Sequence, residues 1–292
     1  MSRTYIYVLK PSPKTMSLFS SEKEVVGWKP YEVGRLIFAP DARPYYYNIT
    51  LKPEAFREVG ILAELLSVFS GEELQILQVK VSTTNPGDPV RVLIAVDLKG
   101  KEKLADRLAD NLKRRKHVVN ANYAPPLFNG IVVDTWSFPL TFQGERAFIM
   151  NQGMLEGMLK GGWRELGPAF AAVLYRAFFN GAKREYEVHI DNLPYSIDER
   201  FKLIEEVFRM LGYGILKFEK ITGGECIARV YNSFECSIFK NEKGARGAIV
   251  RGFISGIAAG YWKAGIDDIT VDETKCAAKG DECCEYRIRR MR

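Results

Sequence analysis

At 292 residues, 47% hydrophobic and 27% charged, the chain has the make-up of a globular protein with apolar side chains enough for one large core or two moderate ones. Its longest apolar stretches, residues 166–179 and 248–262, are shorter than a bilayer span and each carries an arginine, Arg176 and Arg251, so no membrane-spanning helix is expected. The net charge of +6 permits weak attraction to nucleic acid or acidic lipid without demanding either, and the N-terminal MSRTYIYVLKPSPK lacks the apolar run of a secretory signal, so a cytoplasmic protein with reduced thiols is expected.

Residues 1–44, with Trp28-Lys29-Pro30-Tyr31 and Pro40 to Pro44, read as an irregular or short-stranded extension that covers an edge. The aromatic and β-branched run YYYNITLK at 45–52 predicts a strand. From Pro53 a helical periodicity follows through Phe56, Val59, Leu62, Leu65, Leu66 and Phe69. LQILQVKVST and VRVLIAVDL, separated by turn chemistry between Thr83 and Pro89, predict a hairpin. Lys101 to Lys116 places Leu104, Leu108 and Leu112 on one helical face, and VVNANYA at 118–124 is β-like. The basic run Lys113 to Lys116 closes that helix, where cations complement the dipole, and is read as a solvated helix end rather than a nucleic-acid patch.

The order β-α-β-β-α-β resembles the ferredoxin-like plait of the ACT domains, small effector-binding modules. Where that family joins its first strand to its first helix by Asp-x-Pro-Gly-x-Leu, this chain keeps only Gly60 and Leu62, within Arg57-Glu58-Val59-Gly60-Ile61-Leu62. The resemblance implies an effector loop there. Without it, Gly60 simply lets a helix pack close to the sheet.

A domain boundary is expected near residue 140, after Pro125-Pro126 and the extended FNGIVVDTWSFPLTF, dividing a regulatory domain at 45–140 from a second domain at 141–292. In the second half Gly153, Gly157 and Gly161 are four apart, as are Gly252, Gly256 and Gly260. Each set forms a strip along one helix face, and the two helices are expected to pack through these strips, within one subunit or across a homodimer. Asp198 to Leu211 predicts an amphipathic helix, while GILKFEKI, ECIARVYNSFECSIF and the terminal IDDITVDETKCAAKGDECCEYRIRR predict antiparallel strands. His189 is read within an extended EYEVHI. The fold class is therefore α/β of the α+β kind: an N-terminal βαββαβ plait and a C-terminal mixed domain with an antiparallel sheet and glycine-strip helices.

The combination Asn232-Ser233-Phe234-Glu235-Cys236, then Arg251-Gly252-Phe253-Ile254-Ser255-Gly256, then Glu273 to Tyr286 resembles the signature of the 4-vinyl reductase (predicted hydrocarbon-binding) family, over the region from about 148 to the end. That resemblance implies a domain that holds a small apolar ligand rather than converting it. The aromatic residues Trp163, Phe170, Phe178, Phe234, Phe253 and Tyr261 are the candidate ligand-binding positions, with plain core filling as the competing reading. The spacing Glu273-x2-Cys276-x7-Cys284 matches the zinc site of aromatic-sensing members, whose fourth ligand comes from the start of the glycine helix. Gly247 stands near that place and has no side chain to offer, so Cys236 is the candidate substitute, giving Cys236, Glu273, Cys276 and Cys284. A disulfide and free buried thiols are the two other readings of this hairpin. Strand alternation turns Cys284 inward and Cys283 outward, and Cys226 reads as core.

No glycine-rich phosphate loop is present, and neither His117 nor His189 lies near a nucleophile in sequence, so no nucleotide cofactor and no enzymatic activity are expected. The expected function is a small-molecule sensor with a protein partner as its output. The alternative is a structural or tethering adaptor.

Overall fold

The computed structural model describes residues 33–82, 87–240, 242, 244–245 and 247–291. Trp28 to Tyr31 and most of the turn between Thr83 and Pro89 lie outside the described residues. The chain divides into two compact units, Met1–Phe148 and Ile149–Arg292.

The first unit contains strands β1 (Leu36–Phe38), β2 (Pro44–Leu51), β3 (Ile76–Ser82), β4 (Val90–Asp97), β5 (Val118–Ala124), β6 (Ile131–Val133), β7 (Leu140–Phe142) and β8 (Glu145–Ala147), with helices α1 (Ile61–Ser70) and α2 (Ala105–Lys113). Four strands form an antiparallel sheet in the order β3-β4-β2-β5, the spatial order of a ferredoxin-like plait. Alternation splits the sheet into two faces. Tyr47, Ile49, Val92 and Ile94 bury against Leu65, Phe69, Leu108 and Leu112 of the helices. Tyr46, Leu93 and Ala95 on the other face meet Ile37 of β1 and Val132 of β6, which pair with each other. The extension thus covers the sheet with a second small core.

The helical periodicity expected from Phe56 onward does not run through. A short 3-10 turn at Pro53–Arg57 ends before Gly60, whose φ of +90° restarts the chain as α1. The buried stripe becomes Ile61, Leu65, Val68 and Phe69, while Phe56, Val59 and Leu62 are exposed.

The second unit contains α3 (Gln152–Leu166), α4 (Pro168–Glu185), α5 (Ile197–Met210), strands β9 (Ile215–Ile221) and β10 (Glu225–Tyr231), α6 (Phe234–Phe239), α7 (Ile249–Trp262), β11 (Ile269–Lys275) and β12 (Cys284–Arg290). Its sheet is antiparallel, ordered β11-β12-β10-β9. Asp198 and Glu199 lie in the first turn of α5, where Ser196 and Glu199 form a reciprocal cap, and Phe201, Ile204 and Phe208 form its buried stripe.

Three expectations are corrected here. The glycine strips of α3 and α7 do not pack on each other within the unit: α7 lies against α4. A Cβ at Gly252 or Gly256 would fall 2.5 or 2.3 Å from the carbonyl oxygens of Tyr175 or Phe179, whereas Gly157 and Gly161 of α3 meet nothing within 4 Å. EYEVHI is not extended. It continues α4 as a further helical turn, Tyr186–Ile190, because Phe179, Ala182, Tyr186 and Ile190 keep the helical spacing of buried positions. The strand expected through ECIARVYNSFECSIF ends at Tyr231, where Asn232 takes a φ of 50° and Ser233 caps α6 by accepting the Cys236 amide. Among the described residues, no helix is long and apolar enough to cross a membrane.

Candidate functional site

Three cysteines from three parts of the second unit converge. Cys236 sits on α6, Cys284 opens β12 opposite Val230 of β10, and Cys276 follows β11 at the turn that leads into β12. That turn is fixed by Asp281, whose carboxylate accepts the Cys276 amide at 2.7 Å, and by Gly280 with a φ of +103°. The three sulfurs are buried and lie within 4.8 Å of one another. Cys236 and Cys284 are hydrogen-bonded at 3.0 Å, and the Ala277 amide points at the Cys284 sulfur at 3.4 Å.

The surroundings treat these thiols unequally. Burial, then the nearby Glu273 charge, push the Cys276 thiol up to about 11. The shared hydrogen bond holds Cys284 below the ordinary thiol value and, together with burial, raises Cys236 well above it. All five cysteines are free, and Cys226 lies in the core, where burial pushes its thiol up to about 12. Cys283 is buried rather than outward. The strand begins only at Cys284, so β alternation does not extend to the residue before it.

Glu273 stands outside the group formed by the three sulfurs. It pairs with Tyr286 across β11 and β12, and its Oε1 is buried with no hydrogen-bond partner, as is the Tyr286 hydroxyl. An orphaned carboxylate oxygen beside three thiols is a donor set that fits a tetrahedral thiophilic metal.

The residue that sequence reasoning missed is Glu235. It is fully buried, and its carboxylate accepts three amides at the start of α7: Ala248 at 2.7 Å, Ile249 at 2.9 Å and Val250 at 3.0 Å. Burial raises its pKa above the ordinary carboxylate value in spite of these bonds. A Cβ at Gly247 would lie 3.0 Å from the Glu235 carboxylate, so the glutamate fills the space that a ligating side chain at 247 would need. The available signal was an acid inside the otherwise apolar FECSIF.

The aromatic candidates fall into two groups. Trp163, Phe170, Phe178 and Phe234 are half-buried around Leu159, Ile238, Phe239, Ala245 and Ile249, between α3, α4, α6 and the start of α7. Phe253 and Tyr261 pack on the main core instead, Phe253 against Phe208 and Tyr213, Tyr261 against Tyr186 and Phe201. Tyr213 also stacks on Phe234 at 5.3 Å, which links the groups. In the first unit Gly60 and Leu62 are exposed at the start of α1. His117 and His189 lie beside Glu58 and Glu185.

No curated protein matches the chain. Among solved structures it is similar to the phenol-responsive sensory domain of the transcription activator PoxR with phenol, at 14% identity, 51% of this chain, 79% of that one and a TM-score of 0.46. It is similar to a trafficking protein particle complex subunit 3 from Naegleria fowleri covalently bound to palmitic acid, at 12% identity, 49% of this chain, 96% of that one and a TM-score of 0.34. A vinyl-4-reductase family protein from Methanocaldococcus jannaschii is 13% identical, with 51% of this chain, 100% of that one and a TM-score of 0.30. The stretch that holds β10, α6, α7 and the cysteine hairpin, residues 226–290, matches the model of the 4-vinyl reductase domain family, and the second unit of this chain therefore carries a 4-vinyl reductase domain.

Proposed function

We propose that the chain is a non-catalytic sensor that takes a hydrophobic or aromatic small molecule into its C-terminal domain, with the N-terminal domain as a regulatory module. The observation that carries this reading is the convergence of Trp163, Phe170, Phe178 and Phe234 on one cluster in which each ring keeps part of its surface accessible. Half-covered aromatic faces around an apolar floor favour a ligand that removes the remainder from water. Phe253 and Tyr261 support that wall from the main core. Titration with naphthalene, followed by backbone amide NMR shifts, tests it. The expected shifts cluster on α3, α4 and α6. Shifts scattered over the surface, or none, would count against a built site.

The thiol group is read as a zinc site formed by Cys236, Cys276 and Cys284, with Glu273 turning in as the fourth donor. The three buried sulfurs and the orphaned Glu273 oxygen support it. Zinc there would tie α6 to the β11–β12 hairpin. Metal analysis of the purified chain should find stoichiometric zinc, and Cys236→Ser should release it. Full occupancy in Cys236→Ser would show that the four-donor set is wrong.

The adaptor reading is favoured by one specific observation, the apolar surface that Met154, Met158, Leu166 and Val173 leave exposed on α3 and α4. A homodimer or a protein partner covering that surface would be the output of the sensor or the whole function of the adaptor. Stoichiometric capture of one protein without any bound small molecule would favour the adaptor.

A further inference from the structure

A pocket of about 610 Å³ opens on the first unit, on the sheet face turned away from α1 and α2. Register explains its polar lining. Lys80 and Asn48 stand on either side of Leu93, and Ser82 and Thr50 on either side of Arg91, in two cross-strand rows. Farther along the same face, Tyr46 and Ala95 are sealed under Ile37 and Val132. The rows at Leu93 and Arg91 instead reach the pocket, whose remaining wall comes from the segment around β7, with Asp134 before it.

Charge in the pocket is unbalanced, with Arg35, Lys80 and Arg91 facing it against a single carboxylate, Asp134. That carboxylate is already engaged. Its Oδ2 accepts Arg35 Nε at 3.2 Å and its Oδ1 accepts the amides of Trp136 and Ser137 at 3.2 and 3.0 Å. Burial raises Asp134, but the Ser137 hydrogen bonds and Arg35 outweigh it and hold the carboxyl below its ordinary value, so the pair stays ionised. Arg35 spends Nη2 on the carbonyls of Asp134 and Ser137, completing a neutral, rigid corner. Arg91 is aimed differently. Its Nη2 donates to the Trp136 carbonyl at 3.0 Å, and among the described residues no carboxylate lies within ion-pair distance of it. A guanidinium held by one carbonyl keeps a fork of donors for a planar oxyanion.

We propose that this pocket is an effector site for a small organic anion, whose carboxylate or phosphate oxygens are taken by the Arg91 fork with Lys80 and Asn48 alongside. Leu93, Pro139 and Leu140 receive its carbon skeleton, and the Thr141 hydroxyl adds a polar contact. The site lies on the covered face of the plait, distinct from the exposed Gly60 loop, and does not depend on the aromatic or metal site of the other domain.

Isothermal titration of the full chain in low-chloride buffer with citrate and, separately, with inorganic phosphate tests it and tells the carboxylate source from the phosphate source. At least one of them should bind. Arg91→Met should weaken that binding by about tenfold or more, Arg91→Lys by less, and Arg114→Met, an exposed cation at the end of α2, should leave it unchanged. Amide shifts of the unmodified chain should centre on β3, β4 and residues 137–141, a readout that stands even if an Arg91 variant misfolds. Binding of neither anion, equal loss in Arg114→Met, or shifts centred elsewhere would overturn the proposal.

Discussion

A methyl group added at Gly252, Gly256 or Gly260 of α7 would lie 2.5, 2.3 or 2.9 Å from atoms of α4 and its last turn, while at Gly157 or Gly161 of α3 it would meet nothing within 4 Å. The two helices share a spacing and differ in everything around it. In α7 the conformational cost of glycine, about 1 kcal/mol each, is offset by backbone-to-backbone approach. In α3 no described part of the chain supplies that compensation. Their N-termini differ in the same way. Asn151 caps α3 locally, its exposed side chain accepting the Met154 amide at 2.9 Å, whereas α7 has no cap of its own and depends on Glu235 from α6. Glycine spacing marks a permissive face, and only the neighbours decide whether it is a contact.

The comparison can be broken by substitution, read in the urea unfolding transition of the C-terminal domain. Glu235→Ala should have the largest effect, since it strands three buried amides at about 1–3 kcal/mol each. A loss of less than ~2 kcal/mol would mean that water or a neighbour replaces the carboxylate. Gly256→Ala should follow at roughly 2–3 kcal/mol, because the obstructing atom is backbone and α7 must shift to make room. Asn151→Ala should cost about 1 kcal/mol, the ordinary worth of an exposed cap. Gly157→Ala should be the smallest change and of opposite sign, a gain of up to about 1 kcal/mol from helix propensity alone. If Gly157→Ala is destabilising instead, something covers that face in solution. A second copy is the first candidate, and a dilution-dependent midpoint would identify it.

The plait of the first domain was legible because each element carries its own period: alternation in 45–52 and 90–98, fourfold spacing at Leu104, Leu108 and Leu112. Gly60 escaped that reading, since the apolar residues on either side of it happen to continue a helical pattern that a φ of +90° interrupts. In the second domain the cysteine spacing pointed to the hairpin, but periodicity cannot show that Ser233 turns a strand into a helix and thereby aims Cys236 at Cys284. Glu235 was illegible for the same reason. Its partners are amides thirteen to fifteen residues away, and backbone donors leave no mark in a sequence. The basic pocket draws on residues from 33 to 141, and no local motif joins them.

Native mass spectrometry of the full chain, purified without added ligand, tests the sensor reading most directly. The account predicts a retained small apolar molecule, released on denaturation and lost or reduced in Phe178→Ala, with zinc remaining in that variant. A chain that carries only its own mass and that of any metal, and that takes up no naphthalene when it is supplied, would contradict it.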